Sequence, residues 1–276
     1  MVRKEVHLVL FVFLGGLMLL FSCDNEVIKK KTIKTDDLTT LRPLPDGHRQ
    51  FILKIYPKIA NANLEIEIKR EGIKRLRSKY HDVIEKQQRL IWLKEIAAEH
   101  KFEDSLFSIG MSEQDYLIKI DTLLTRVDII PENLVLAQAI VESGWGKSKF
   151  ARDVNNYFGI RCFTPGCGVK PSASSDSTFW VKKFPTVEAC VEEYLRILNT
   201  VHVYDNFRKA RVSLREANDF PNGMELSRRL KKYSESGSQY TNLLTSIIKN
   251  YIPNNLEAFV RNQGSAKITD EDLFDD

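Results

Sequence analysis

The sequence is short of most features that would assign it to a specialised class. Its 276 residues hold four cysteines, too few for a small scaffold stapled by disulfides. One stretch alone, at the N-terminus, is long and apolar, which excludes a multi-span membrane protein. Neither sign of charge dominates: 41 Lys and Arg face 37 Asp and Glu, a formal net charge of +4. A basic excess that small, spread over this length, does not point to nucleic acid. What the chain has is 43% hydrophobic and 10% aromatic residues, which rules out a disordered or collagen-like polymer. The length suffices for one large domain or two small ones.

The N-terminus reads as an address. Arg3 and Lys4 precede an apolar run that ends at Phe21, shorter than the roughly 20 residues a spanning helix needs. It has the proportions of a signal-peptide core. The closing Leu20-Phe21-Ser22-Cys23 resembles a bacterial lipobox, which implies cleavage before Cys23 and lipid attached to that thiol. The alternatives are an ordinary signal peptide, or a single anchor helix with an incidental cysteine. Residues 1–22 are therefore set aside as a signal peptide, and the polar residues 23–45 as a flexible tether. The expected location is the cell envelope, held by lipid to a bacterial membrane.

From Asp46 onward the spacing is helical. Phe51, Ile55 and Ile59 share a face, and charged stretches follow to about residue 99. This front section, with its narrow apolar stripes, predicts a helical hairpin packed on something else, and shows no constellation that carries chemistry. Ser112 with Asp115 three residues on marks another helix start. After Pro131, Leu134 to Val141 is almost unbroken apolar sequence, so a helix there is buried nearly all round and stops at Gly144. Short aromatic and β-branched runs at 157–162 and 178–181 flank a Pro, Gly and Ser-rich loop, the pattern of a small hairpin. Helical spacing resumes over 187–198 and 240–251. The fold class is α+β, mainly α.

Glu142 ends the apolar helix. The negative end of the helix dipole and desolvation both disfavour its carboxylate and raise its pKa. A carboxylic acid still protonated near neutral pH is what glycoside hydrolysis uses to protonate a leaving oxygen. Trp145 follows closely and offers an apolar wall or a stacking face for a sugar. The plain alternative is a glutamate that marks a helix end and faces water.

The run LAQAIVESGWGKSKFARDVNNYFGIRCFTPGCGVKP resembles the glucosaminidase domain of bacterial cell-wall hydrolases, glycoside hydrolase family 73. Within it the chain is most similar to the Bax protein branch. FWVKKFPTVEACVEEYLRIL, KKYSESGSQYTNLLTSIIKNY and the front segment LPDGHRQFILKIYPKIANANLEI resemble further parts of that family in order. The resemblance implies a lysozyme-like fold over 128–253, with a helical extension over 46–127 and an acidic tail over 254–276. It also implies cleavage of a β-1,4 bond after N-acetylglucosamine, typically in peptidoglycan strands.

By the same resemblance, Glu142 falls on the family's catalytic glutamate. Tyr233 falls on a motif tyrosine that positions substrate or a reacting group, while Tyr240 reads as packing. Asn155, Asn156 and Phe158 match a segment beside the cleft, where amides reach sugar hydroxyls and aromatic faces stack; the asparagines alternatively cap and turn the chain. Trp180 lines the cleft or covers the sheet. Cys162 and Cys167 match cysteines of the Bax branch, and a disulfide between them would pin the cleft rim in an exported protein. A zinc site is the rival, but no nearby His or second cysteine pair completes it, so no metal and no cofactor is expected. Cys190, on an apolar stripe, reads as a buried free thiol.

The second catalytic group stays open among Asp176, Glu188 and the substrate's own acetamido group. A monomer is expected, with glycan strands and a membrane as partners and no nucleic acid. Two functions compete with a cell-wall hydrolase: a non-catalytic glycan-binding or scaffold lipoprotein with a degenerate site, and an endoglycosidase acting on N-linked glycans.

Overall fold

The apolar run after Pro131 becomes the axis of the molecule. Leu134, Val135, Leu136, Ala137, Ala139 and Ile140 are all buried, because neighbours surround their helix on every side. The computed structural model describes residues 44–85, 87–102, 107–171, 178–217 and 221–256. The expected signal peptide, Cys23, the expected tether up to residue 43, Asp176 and the tail beyond residue 256 lie outside the described residues. Among the described residues, no helix is long and apolar enough to cross a membrane.

In chain order the helices are α1 (Asp46–Arg77), α2 (Tyr80–Glu85), α3 (Gln87–Glu99), α4 (Glu113–Arg126), α5 (Glu132–Ser143), α6 (Lys149–Val154), α7 (Val187–Thr200), α8 (Asp205–Glu216), α9 (Gly223–Ser227) and α10 (Ser238–Tyr251). A 3-10 turn, His202–Tyr204, joins α7 to α8. Side-chain caps set several starts: Ser112 accepts from the Asp115 amide, Ser148 from Ala151 and Thr186 from Ala189, each filling one of the amide donors a helix start leaves open. The architecture is helical with a small antiparallel sheet, as the periodicity predicts.

The sheet has three strands rather than the two of a hairpin. Its order is β1 (Arg161–Cys162), β3 (Trp180–Lys182), β2 (Gly168–Val169), with β3 central. Cys162 faces Trp180, and Gly168 faces Lys182. The additional strand depends on Gly168: a Cβ there would stand 1.9 Å from the Val181 carbonyl oxygen. Glycine in a strand often marks such a close backbone approach.

The front section has a longer first helix than the charged interruption after residue 63 suggests. α1 is one continuous helix of 32 residues that runs through Pro57. Its second half pairs with α3 around Ile73, Leu90 and Leu93. The Trp92 ring lies so close to α1 that a Cβ at Gly72 would be 2.7 Å from it. The first half belongs elsewhere: Phe51, Ile52, Ile55, Tyr56 and Ile59 sit in the same apolar cluster as α5, α7 and α10.

The link from α4 to α5 is buried yet irregular, so its backbone polar groups need partners from side chains. Arg70 of α1 donates to the carbonyls of Leu124 and Val127. Arg211 of α8, with no exposure at all, donates to those of Thr125, Asp128 and Ile129. Asn63 exchanges hydrogen bonds with Ile130 in both directions, and Asn199 donates to the Asp128 carbonyl. The Asp128 carboxylate holds the arginines in place. Arg215 reaches it at 2.8 Å, Arg70 and Arg211 at 3.5 Å. Burial lowers the Arg211 pKa to about 10, which leaves the guanidinium charged at neutral pH.

Removing one member of a buried ion cluster strands the others without a counter-charge. Asp128→Asn is expected to lower unfolding stability by about 3–5 kcal/mol, measured by chemical denaturation at neutral pH.

Candidate active site

Gln138 and Glu142 are four residues apart and therefore share one face of α5. At its end the chain makes three consecutive left-handed residues: Gly144 (φ 56°), Trp145 (φ 59°) and Gly146 (φ 74°). Such a turn stops the helix one residue after Ser143 and leaves Glu142 at its rim. Glycine suits two of the three positions because it adopts positive φ without a Cβ penalty. Gly146 is doubly constrained, since a Cβ there would stand 3.2 Å from the Phe51 ring.

Trp145, the one residue of that turn with a side chain, is held by two distant helices. The His48 ring of α1 stacks on it at 3.6 Å with an interplanar angle of 3°. Phe51 and Tyr251 meet it edge-on at 5.7 and 6.0 Å. One indole face is thus covered within the fold. The packing of His48 beside Lys147 lowers the imidazole pKa, burial first and the lysine charge second.

Glu142 is partly buried, and burial raises its pKa. Two groups oppose that rise: the Tyr240 hydroxyl, hydrogen-bonded to the carboxyl group, and then the Arg161 guanidinium on β1. Gly159 completes the wall. A Cβ at that position would stand 3.3 Å from Glu142 Oε2. Beneath the carboxyl group lies a nest of tyrosines. Tyr233 stacks on Tyr240 at 5.7 Å, and Tyr194 and Tyr204 approach Tyr233 at 6.2 Å. Burial pushes the phenols of Tyr194, Tyr233 and Tyr240 well up, and that of Tyr204 to about 12. These side chains are therefore neutral hydrogen-bonding groups under ordinary conditions.

The structure sorts the residues singled out by sequence. Tyr233 is half-buried and donates its hydroxyl proton to the Phe158 carbonyl at 2.8 Å, so it braces the irregular segment before β1 that carries Gly159. Phe158 is 1% exposed and stacked on Tyr194 at 4.1 Å; its ring is a core element with no face for a sugar. Asn155 caps α6 in a left-handed conformation and donates to the carbonyls of Phe184 and Pro185. Asn156, 2% exposed, donates to Ile160 and Lys182 and accepts from the Ile160 amide. Of the two roles open to these amides, the geometry supplies capping and turning. Trp180 is half-buried on the central strand, with Lys170 Nζ 4.1 Å over its ring.

Cys162 and Cys167 are joined by a disulfide at the sheet rim, and Cys190 is a free buried thiol with its pKa pushed up to about 12. Among the described residues, no three His, Cys, Asp or Glu side chains converge as a metal site. Glu188 stands apart from Glu142: it pairs with Lys58 at 2.8 Å, and that bond lowers its pKa.

Sequence reading passed over two contributors. Tyr240 touches Glu142 directly although its place on an apolar stripe reads as packing. His48 reaches the site from a segment without any chemical motif. The one signal available was Gln138, a polar residue inside an otherwise apolar helix, four residues before the glutamate.

Comparison with known proteins gives the family. Residues 119–253 match the glucosaminidase family model, described as mannosyl-glycoprotein endo-beta-N-acetylglucosaminidase. Over 223 residues the chain is 31% identical to a protein named "Protein bax" from Escherichia coli (strain K12), covering 80% of this chain and 76% of that protein. No solved structure matches.

The His48 stack should be measurable. His48→Ala is expected to lower stability by about 1 kcal/mol, the scale of an aromatic pair, and to change tryptophan emission. That emission change should vanish in a Trp145→Phe background.

Proposed function

The chain belongs to the glucosaminidase family, and from that premise we propose that it hydrolyses the β-1,4 bond after N-acetylglucosamine in peptidoglycan, with Glu142 as general acid. The observation that carries this reading is the environment of Glu142. Burial favours the protonated carboxyl group before reaction. As the glycosidic C–O bond breaks, the proton passes from Glu142 to the departing sugar oxygen. The carboxylate left behind finds the Tyr240 hydroxyl and the Arg161 guanidinium already in place. The anomeric carbon is then taken by water activated at a second carboxylate, or by the substrate's acetamido group. Tyr233 supports this reading through the segment before β1 that it braces beside Glu142 rather than by contact with the acid.

A non-catalytic glycan-binding role is the second reading. It draws on the position of Glu188, which is engaged with Lys58. The family model's description raises a third substrate, an N-linked glycan. The N-terminal Leu20-Phe21-Ser22-Cys23 supports a lipid anchor at Cys23 and a place in the cell envelope.

Digestion of purified sacculi, with products identified by mass spectrometry, tests all three. The expected product ends in N-acetylglucosamine. Sacculus binding without any product supports the second reading, and release from a high-mannose glycoprotein alone supports the third. Glu142→Gln is expected to lower turnover by about 10²–10⁴-fold while the protein stays folded; full activity in this variant removes Glu142 from the acid role. Cys23→Ser is expected to abolish incorporation of labelled fatty acid and to move the protein from the membrane to the soluble fraction.

A further inference from the structure

We propose that Gln138 is a positioning residue. Its amide fixes the direction of a hydrogen-bonded chain running from Tyr194 through Gln138 and Tyr240 to Glu142, so that Tyr240 donates to one carboxyl oxygen and the acid proton stands on the other. The proposal rests on the reading of Glu142 as the general acid.

Gln138 and Tyr194 have no exposure, and Tyr240 has 4%, so water does not substitute for any partner. The Tyr194 hydroxyl donates to Gln138 Oε1. Gln138 Nε2 donates to the Tyr240 oxygen at 2.9 Å. A phenol has one proton to give; with its oxygen accepting from Gln138, Tyr240 directs that proton to Glu142, with which it is hydrogen-bonded. An amide accepts at one end and donates at the other. Exchanging the two ends reverses the whole chain: Tyr240 gives its proton to Gln138, and Glu142 loses its donor.

The far end of the chain decides between these states. In the reversed arrangement the Tyr194 hydroxyl faces an NH₂ group and its proton loses its acceptor, a costly loss in a dry interior. Tyr194 thus sets the amide, the amide sets Tyr240, and Tyr240 sets the acid. The stack of Tyr194 on Phe158 keeps the first member still. The remaining groups that act on or feel Glu142 do not compete. Arg161 on β1 acts on the carboxyl group through space, and Tyr204 and Tyr233 are phenols held neutral by burial.

The sign of the effect follows. Donation to the carboxylate holds the Glu142 pKa below the value burial alone would give, and loss of the donor raises it. A general acid works while protonated, so the alkaline limb of kcat/KM moves up with that pKa.

The test uses the full-length protein labelled with ¹³C at the glutamate carboxyls, the Glu142 signal being identified by its loss in Glu142→Gln. Carboxyl titration and the pH profile of sacculus digestion are followed together. Tyr240→Phe is expected to raise the Glu142 pKa by about one unit and to lower the maximal rate. Tyr194→Phe and Gln138→Met should raise it in the same direction by less. Neither should add to the shift in a Tyr240→Phe background. A Glu142 pKa unmoved in folded Tyr194→Phe, or shifts that simply add in the double variants, overturns the proposal. Tyr194→Phe deletes one oxygen and keeps the ring stack, so it decides the matter even where Gln138→Met does not fold. Retained activity in Glu142→Gln strikes the acid reading instead, and the titration still reports on the chain.

Discussion

The short link between α4 and α5 is the constraint on which the rest of the structure depends. It is buried and has no regular secondary structure, so side chains must satisfy its backbone. Arg70 from α1 and Arg211 from α8 do so, and the Asp128 carboxylate gathers them with Arg215. A hydrophobic core alone tolerates sliding of one helix over another. Directional bonds from two helices to one five-residue link do not. The start of α5 is therefore registered against α1 and α8, and the position of its far end follows from helix geometry.

At that far end the registry becomes a site. The left-handed turn Gly144-Trp145-Gly146 lies against Phe51, where a Cβ at Gly146 would press on the ring, and its indole is covered by His48. α1 thus contacts the molecule at both ends of α5: Arg70 near the beginning and His48 with Phe51 near the end. The front helix does more than pack on a finished domain. It packs against the turn that directly follows the end of α5.

These features differ in how legible they were. The buried axis helix, its stop at Gly144 and the capping Ser112 follow from local rules, because periodicity and cap chemistry act over a few residues. Glu142 was legible for the same reason, as an acid at the end of an apolar helix. Phe158 reads for the cleft yet serves the core, and Asn156, open between cleft and turn, takes the turn, because a motif position tells which segment lies near a site but not which way its side chains point. Tyr240 and His48 could not be found locally: each meets its partner across about a hundred residues of chain. Strand β2 is two residues long, too short for alternation to register, and only the close approach at Gly168 explains it.

The opposed forces on Glu142 tie stability to chemistry. A carboxyl group whose folded pKa is raised contributes stability that is present in acid and is lost as pH rises through the folded value. Glu188 behaves in the opposite sense, because Lys58 lowers its pKa and the stability it adds is present above the ordinary carboxylate range. Near neutral pH, then, Glu188 favours the fold while an ionised Glu142 opposes it. A surface carboxylate paired with lysine needs no further explanation. A carboxyl group beside a cluster of four tyrosines, three of them buried, against a backbone with no Cβ, is an arrangement that folding alone does not favour. It is tolerated because the fixed arginine framework at the other end of α5 holds the helix in place whatever the charge on Glu142. The same burial that weakens the fold there favours the protonated carboxyl group.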